Sequence, residues 1–154
     1  MSFYSRKPTR IPEFDYASTN YYFITICTQE KACIFGKPQK LNAWGKIAYD
    51  DMQKISSRNI GAQIDNFIVM PNHVHAIVVI TQENTIGLDR IIGLYKSGVS
   101  RKIRAENPDA QVWQRSFHDH IIRNQQEYEK IWTYIQYNDQ KWESDCFYTA
   151  MEKE

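Results

Sequence analysis

The hydrophobic positions of this chain change their period along its length, and these changes predict the order of its elements. Residues 21–28 read YYFITICT, a run rich in aromatic and β-branched residues that is typical of a strand. From residue 41 to about residue 55, apolar residues recur at spacings of three and four, which predicts one helical stripe. The stripe consists of Leu41, Trp44, Ala48, Met52 and Ile55. A first helix therefore follows the first strand.

Two β-branched runs come next and predict a hairpin. They cover residues 64–70 and 73–80, and the Pro71-Asn72 pair between them is a turn signal. A second helical stripe covers residues 88–103, and residues 116–122 form another strand-like run. A last helix is predicted from about Gln125 to Lys141.

The order strand, helix, strand, strand, helix, strand, helix predicts an α+β fold. We expect a ferredoxin-like split β-α-β antiparallel sheet with an additional C-terminal helix. The chain has 154 residues, which is the usual size of one domain, so we expect a single domain over residues 1–154. Residues 1–12 would form a basic N-terminal segment and residues 143–154 an acidic tail. This architecture hosts many functions, so it does not decide between them.

Composition excludes several classes of protein. With 42% hydrophobic and 24% charged residues, the chain is typical of an ordinary globular domain rather than a disordered or fibrous one. No apolar run approaches the ~20 residues that cross a bilayer, and residues 1–10 lack a hydrophobic secretory segment. Its three cysteines form no CxxC pair, which favours reduced thiols. We therefore expect a cytoplasmic protein without membrane contacts.

The net charge of +1 gives no global sign of nucleic-acid binding, so such a function must depend on local charge. Between residues 90 and 130 there are eight basic and five acidic side chains. This imbalance is equally typical of a solvated face. The candidate DNA-binding cations are Arg6, Lys7, Arg10, Lys96, Arg101, Lys102, Arg115, Arg123, Lys130 and Lys141.

The four histidines form two His-x-His pairs. His73 and His75 begin a predicted strand, so their side chains leave the same face about 6.5 Å apart. Imidazole suits first-row metals, although two rings at a strand end could equally meet solvent. His118 and His120 flank Asp119 with the same spacing. They could complete a four-histidine site or support the first pair.

The last predicted helix presents a tyrosine beside its buried stripe. Tyr134 and Asn138 are four residues apart, which makes them neighbours on one helix face at the edge of the stripe. Lys130 and Lys141 lie on the same flank, where their charges suit a phosphate. Tyr95 is the alternative nucleophile, but it falls within the apolar stripe of the second helix and is more typical of core.

Four segments carry a resemblance to a known family: YFITICT, MPNHVHAIVVI, WQRSFHDHIIR and YIQYN. They resemble the single-tyrosine HUH transposases, also called IS200-like, and more narrowly the repeat (REP)-associated tyrosine transposases. The resemblance implies that His73, His75 and Asn138 bind a divalent Mg²⁺ or Mn²⁺ ion. It also implies that Tyr134 is the nucleophile. Many insertion-sequence relatives carry Gln at the place of Asn138, whereas repeat-associated relatives share the Asn.

The function implied is cleavage and rejoining of single-stranded DNA next to a hairpin, through a 5′-phosphotyrosine intermediate. The partner would be single-stranded DNA carrying a repeat palindrome, and the protein would associate with the nucleoid when bound to it. Some relatives form homodimers that exchange the tyrosine helix, while others carry it in cis. Two alternatives stay open at this point: a non-cleaving hairpin-binding module on the same fold, and a zinc hydrolase that uses four histidines.

Overall fold

The computed structural model describes residues 19–138 of the chain. Its strands are β1 Thr19–Cys27, β2 Gly36–Lys37, β3 Lys40–Leu41, β4 Ala62–Met70, β5 His73–Thr81 and β6 His118–Ile122. Its helices are α1 Ala43–Gln53, α2 Ile55–Arg58, α3 Gly87–Arg104 and α4 Gln125–Gln136. None of the helices in this part of the chain is long and apolar enough to cross a membrane.

The main sheet has four strands in the order β4-β5-β1-β6, and every neighbouring pair is antiparallel. The first two long strands in the chain are therefore separated by the third, which is the split β-α-β arrangement. The predicted ferredoxin-like α+β fold is confirmed. In this order β4 and β6 are the edge strands, and β5 and β1 form the centre.

The two faces of the sheet carry different helices, because successive side chains of a strand point to opposite faces. On one face, α1 and α3 pack over Val74, Ala76 and Val78 of β5. On the other face, α4 packs over Ile77 and Val79 of the same strand. The odd-numbered positions of β5 thus face α4. His73 and His75 share this face.

Two polar contacts anchor α4 to the edge strand β4. The register of β4 shifts between Ile64 and Asn66, which indicates a bulge at Asp65. The hydroxyl of Tyr128 donates to Oδ2 of Asp65 over 2.5 Å. One residue further along β4, Nδ2 of Asn66 donates to the main-chain oxygen of Trp132 over 3.1 Å. The bulge therefore turns two polar side chains towards the helix and fixes its position.

Most element bounds match the prediction, with three differences. The first predicted helix breaks at Lys54 into α1 and the short α2. A small hairpin, β2 and β3, was not predicted, because each strand has only two residues and no periodicity. Helix α4 ends at Gln136 rather than near residue 141, so Asn138 lies just beyond the helix.

Candidate active site

His73 and His75 lie side by side at the start of β5. Their solvent-exposed fractions are 0% and 3%. Their ring centroids are 4.5 Å apart and the ring planes are inclined by 70°. A central strand holds both rings, which favours a preformed site. The predicted spacing therefore produces two adjacent, fully buried imidazoles.

The orientation of His73 is set by its neighbour Asn72. Oδ1 of Asn72 lies 2.7 Å from Nδ1 of His73, and Nδ2 of Asn72 donates to the main-chain oxygen of Lys31. Because an amide oxygen only accepts, Nδ1 of His73 must carry the proton in this bond. In the neutral ring the proton is then on Nδ1, so Nε2 carries a lone pair.

His75 is oriented by the adjacent central strand. Its Nδ1 lies 3.0 Å from Oγ1 of Thr25, which is the residue directly opposite it in β1. Metal-binding histidines commonly use one ring nitrogen for a fixing bond of this kind and the other for the metal. In both histidines the second ring nitrogen, Nε2, is buried.

Tyr134 of α4 stands beside the histidine pair. Its ring centroid lies 5.3 Å from that of His75 and 6.2 Å from that of Phe23. The side chain is 41% exposed, so its ring contacts the buried site while part of it meets solvent. This agrees with the predicted place at the edge of the buried stripe. The tyrosine and the first histidine pair are therefore brought together.

Asn138 follows α4 and is buried, with 1% of its surface exposed. Its Oδ1 has no hydrogen-bond partner among the described residues. A buried amide oxygen without a partner is costly unless a ligand satisfies it. Two imidazole nitrogens and an amide oxygen form a donor set that suits Mn²⁺ and related divalent ions. The residues present therefore fit the divalent metal that the sequence predicts.

The second histidine pair is separate from the first. His118 pairs with Thr25, which in turn pairs with His75, so strand β1 lies between the two histidines. The Cα atoms of His75 and His118 are therefore two strand spacings apart, about 9.6 Å. Among residues 19–138, no group of three or more His, Cys, Asp or Glu side chains could hold a metal. The four-histidine zinc hypothesis is therefore wrong.

His120 instead belongs to the connection between β6 and α4. Its Nε2 lies 2.6 Å from Oε2 of Glu127. Oε1 of Glu127 accepts the main-chain N–H of Arg123, and these two bonds hold the pKa of Glu127 below its usual range. Asn124 caps the same helix end by accepting the N–H of Glu127. The contact between His120 and Glu127 thus supports the start of the helix that carries Tyr134.

Within the described residues, two of the candidate cations are engaged in contacts with the protein itself, and the others are exposed to solvent. Lys96 donates to the carbonyls of Gln114 and Ser116, and burial lowers its pKa. Lys102 pairs with the buried carboxylate of Asp51. The other described candidates are exposed: Arg101, Arg115, Arg123 and Lys130. Arg6, Lys7, Arg10 and Lys141 lie outside the described residues, as do both terminal segments.

Tyr95 is a core residue and does not compete as a nucleophile. It is 4% exposed, and its hydroxyl donates to the main-chain oxygen of Ala48 over 2.9 Å. Burial, with the nearby charge of Asp51, raises its pKa. A phenolate is therefore strongly disfavoured at this position.

Sequence reasoning did not assign roles to Thr25, Asn72 and Phe23. Strand alternation could have placed Phe23 and Thr25 on the histidine face, since they lie opposite Ile77 and His75. Asn72 was recognised only as part of a turn. Its bond to His73 depends on the position of the segment around Lys31, which periodicity does not predict.

Comparisons with known proteins match this chain over most of its length. The family model described as "Transposase IS200 like" matches residues 16–138. An uncharacterised protein of Haemophilus influenzae is 32% identical over 93% of this chain and 93% of its own length.

Two solved structures share the fold at 17% identity. One, of a REP-associated tyrosine transposase bound to a REP hairpin, has a TM-score of 0.58 and covers 92% of this chain and 74% of its own. The other, a proposed transposase of Deinococcus radiodurans R1, has a TM-score of 0.56 and covers 80% and 94%.

Proposed function

This chain belongs to the IS200-like transposase family, and from that premise we propose that it cleaves and rejoins single-stranded DNA next to hairpins through Tyr134. The observation that carries the proposal is the position of that tyrosine. A half-exposed phenol lies against a ring of the buried histidine pair, with its centroid 5.3 Å from that of His75. A phosphate entering from solvent would meet the phenol and the histidines together.

The covalent step exchanges one ester bond for another. Oη of Tyr134 attacks the phosphorus in line, and the bond from phosphorus to the 3′ oxygen breaks. The 5′ fragment of the strand then ends in a free 3′-hydroxyl, and the other fragment is joined to Tyr134 through its 5′ phosphate. Because the ester bond is kept, a different 3′-hydroxyl can reverse the step without a nucleotide cofactor.

The proton of the phenol must leave during the attack, since a tyrosine phenol has an ordinary pKa of about 10 and is mostly protonated at neutral pH. Lys130 lies one helical turn before Tyr134 on α4, so it is a neighbour on the same face. An ammonium there favours the phenolate and the incoming phosphate by its charge. Lys141, the metal and a bound water are the alternatives that the sequence leaves open.

His73, His75 and Asn138 would hold the divalent ion. Bound there, Mg²⁺ or Mn²⁺ would supply Lewis-acid stabilisation of phosphate charge. The residues themselves fix the site: Asn72 and Thr25 orient the two rings, and the edge-strand contacts to Tyr128 and Trp132 hold α4 in place.

We extend the hairpin partner to this chain from the fold neighbour that is bound to a REP hairpin. The exposed cations Arg115 and Arg123 flank β6, on the edge of the sheet opposite β4. Lys130 is exposed on α4. Cations at these positions would position DNA phosphates without reading sequence.

A covalent-adduct assay tests the proposal. Purified full-length protein is incubated with labelled single-stranded hairpin oligonucleotides from DNA that flanks its own gene, with Mn²⁺ or a chelator. We expect a band on a denaturing protein gel, retarded by one DNA strand, only with Mn²⁺. Tyr134→Phe should abolish it, and Tyr137→Phe, the matched control, should retain it.

Two outcomes contradict the proposal. An adduct that survives in Tyr134→Phe would move the nucleophile to another residue. Binding of the same oligonucleotides without any covalent band would favour the non-cleaving hairpin-binding module instead.

A further inference from the structure

A groove at the β4 edge of the sheet is unused by the function described so far. It has a volume of about 400 Å³ and lies between the β2–β3 hairpin, helix α1 and the edge strand β4. Its lining includes Leu41, Lys46, Tyr49, Phe67 and Val69. We propose that this groove binds an unpaired nucleotide of the DNA strand, with the base stacked on Tyr49 and the backbone phosphates facing Lys40 and Lys46. The inference rests on the proposed function.

The groove contains an aromatic platform. The ring centroids of Tyr49 and Phe67 are 4.9 Å apart, and Tyr49 is 40% exposed although it is a large aromatic residue. Exposed aromatic rings are the usual stacking partners of unpaired bases, because every base presents a π face. Leu41 adds an apolar wall. The platform therefore suits a flat heterocycle.

Main-chain groups of β4 also face the groove. The N–H of Phe67 donates to the side-chain oxygen of its own neighbour Asn66, so this peptide group points away from β5. In an antiparallel strand, alternate residues direct their main-chain groups to the same side, so those of Val69 also point outward. A base edge at this position would find a donor and an acceptor.

The charge around the groove complements a phosphate backbone. From residue 31 to residue 49 the chain carries four lysines and no acidic residue. These are Lys31, Lys37, Lys40 and Lys46. All four are exposed, and Lys46 lines the groove itself. A peptide could also add to an open strand edge, but this run of cations favours an anionic strand.

The groove lies at the β4 edge, mainly on the face of the sheet opposite the histidines, because Val69 and its partner Val74 face α1 and α3. Ile68, which also lines it, is paired with His75 in the sheet, one strand away. The N–H of Phe35 donates to the main-chain oxygen of Pro71, just before the histidine strand. At Gly45, a Cβ atom would lie 2.3 Å from the main-chain oxygen of Phe35, so α1 packs directly on this segment. A strand cut at Tyr134 would reach the groove around the β4 edge, past Ile68.

The test measures binding of single-stranded DNA in the presence of a chelator, under which the proposed cleavage does not occur. Fluorescein-labelled (dT)12 is titrated with full-length protein, and anisotropy gives the affinity. Tyr49→Ala should weaken binding about tenfold through loss of stacking. Tyr49→Phe, which keeps the ring, should bind like the wild type. Leu94→Ala removes an equally exposed apolar side chain on α3 and serves as the matched control.

Two further readouts locate the contact. Lys46→Gln should reduce the slope of log K against log salt concentration by about 0.7, the value for one phosphate contact of a single strand. An oligonucleotide that carries 5-iodo-deoxyuridine should, on irradiation, crosslink to the peptide that contains Tyr49 or Phe67. Thermal unfolding of each variant shows that it is folded.

The groove proposal is overturned if Tyr49→Ala binds (dT)12 within twofold of the wild type, or if the crosslinks map elsewhere. Its failure is distinguishable from failure of the cleavage proposal. Loss of binding in Tyr49→Ala without any covalent adduct in the wild type would support the groove and reject cleavage. An adduct at Tyr134, together with unchanged binding of (dT)12 by Tyr49→Ala, would support cleavage and reject the groove.

Discussion

Asn138 is the residue whose position changes most between sequence and structure. The sequence places it on the helix, one turn after Tyr134, whereas α4 ends at Gln136 and Asn138 follows the helix end. Its side chain is nevertheless buried, and its Oδ1 has no hydrogen-bond partner in the described part of the chain. The amide is therefore buried although the residue lies beyond the helix end.

This position predicts a metal-dependent stability that can be measured without DNA. An ion that binds only the folded state stabilises it by about 2.7 kcal/mol at a hundredfold excess over its Kd. For a chain of this size, that raises the Tm by about 5–11 °C. We expect Mn²⁺ to raise the Tm of the wild type and to have almost no effect on Asn138→Ala.

His118→Ala is the matched control for the Asn138 experiment, since His118 is exposed and lies across β1 from His75. This variant should keep the Mn²⁺ response. An equal rise in Tm for Asn138→Ala would show that the amide oxygen is not a ligand.

At the scale of elements, the strands were predicted well because their signals are local. The β4–β5 hairpin follows from two β-branched runs and a Pro-Asn turn, and both are visible in the sequence. The small hairpin β2–β3 has no such signal. Its turn residue Gln39 has a φ of 64°, a left-handed conformation that a non-glycine residue adopts through its tertiary surroundings. The groove depends on this hairpin, so sequence reasoning missed it.

The end of α4 was overestimated for a related reason. The residues after Gln136 continue a sequence pattern that is compatible with a helix, so only packing can decide where the helix ends. In the structure, the N–H of Tyr137 donates to the main-chain oxygens of Thr133 and Ile135.

Packing between α1 and α3 predicts a loss of stability at alkaline pH. Burial raises the pKa of Tyr95, whose hydroxyl bonds to Ala48 of α1. In the unfolded chain the phenol titrates at about pH 10. Below that pH, the buried hydroxyl of Tyr95 makes its full contribution to the free energy of unfolding. Above it the unfolded state loses a proton that the folded state keeps, so the free energy of unfolding falls by about 1.4 kcal/mol per pH unit.

Urea unfolding between pH 10 and pH 11 measures this slope. Burial, together with Asp65, also raises the pKa of Tyr128, so the wild type contains two such tyrosines among its described residues. Because the unfolded phenol is only partly ionised in this range, Tyr95→Phe should reduce the fall in stability between pH 10 and pH 11 by about 1 kcal/mol. An unchanged slope in this variant would mean that Tyr95 ionises as easily in the folded protein as in the unfolded chain.

At the scale of the whole molecule, the tyrosine helix packs on the sheet of its own chain. Tyr128, Trp132 and Ile135 of α4 join the same hydrophobic cluster as Ile77 and Val79 of β5. The polar contacts to Asp65 and Asn66 add to this docking. In this structure Tyr134 therefore lies beside the histidine pair of its own chain.

A mixing experiment tests this arrangement. Tyr134→Phe and His73→Ala should each fail to form the covalent adduct, and a mixture of the two should also fail if α4 acts in cis. Exchange of helices between two chains would instead restore roughly a quarter of the wild-type adduct, since half of the random dimers would contain one intact composite site. Thermal unfolding of both variants confirms that each is folded before mixing.

The central claim is that Tyr134 carries the DNA, and mass spectrometry of the covalent adduct tests it most directly. The wild-type protein is incubated with the flanking hairpin oligonucleotides and Mn²⁺, trimmed with nuclease and digested with trypsin. The relevant peptide, residues 131–141, contains both Tyr134 and Tyr137, so fragment spectra must separate them. We predict a nucleotide phosphate on Tyr134. A nucleotide on Tyr137 or on any other tyrosine, or oligonucleotide binding without an adduct, would contradict the account.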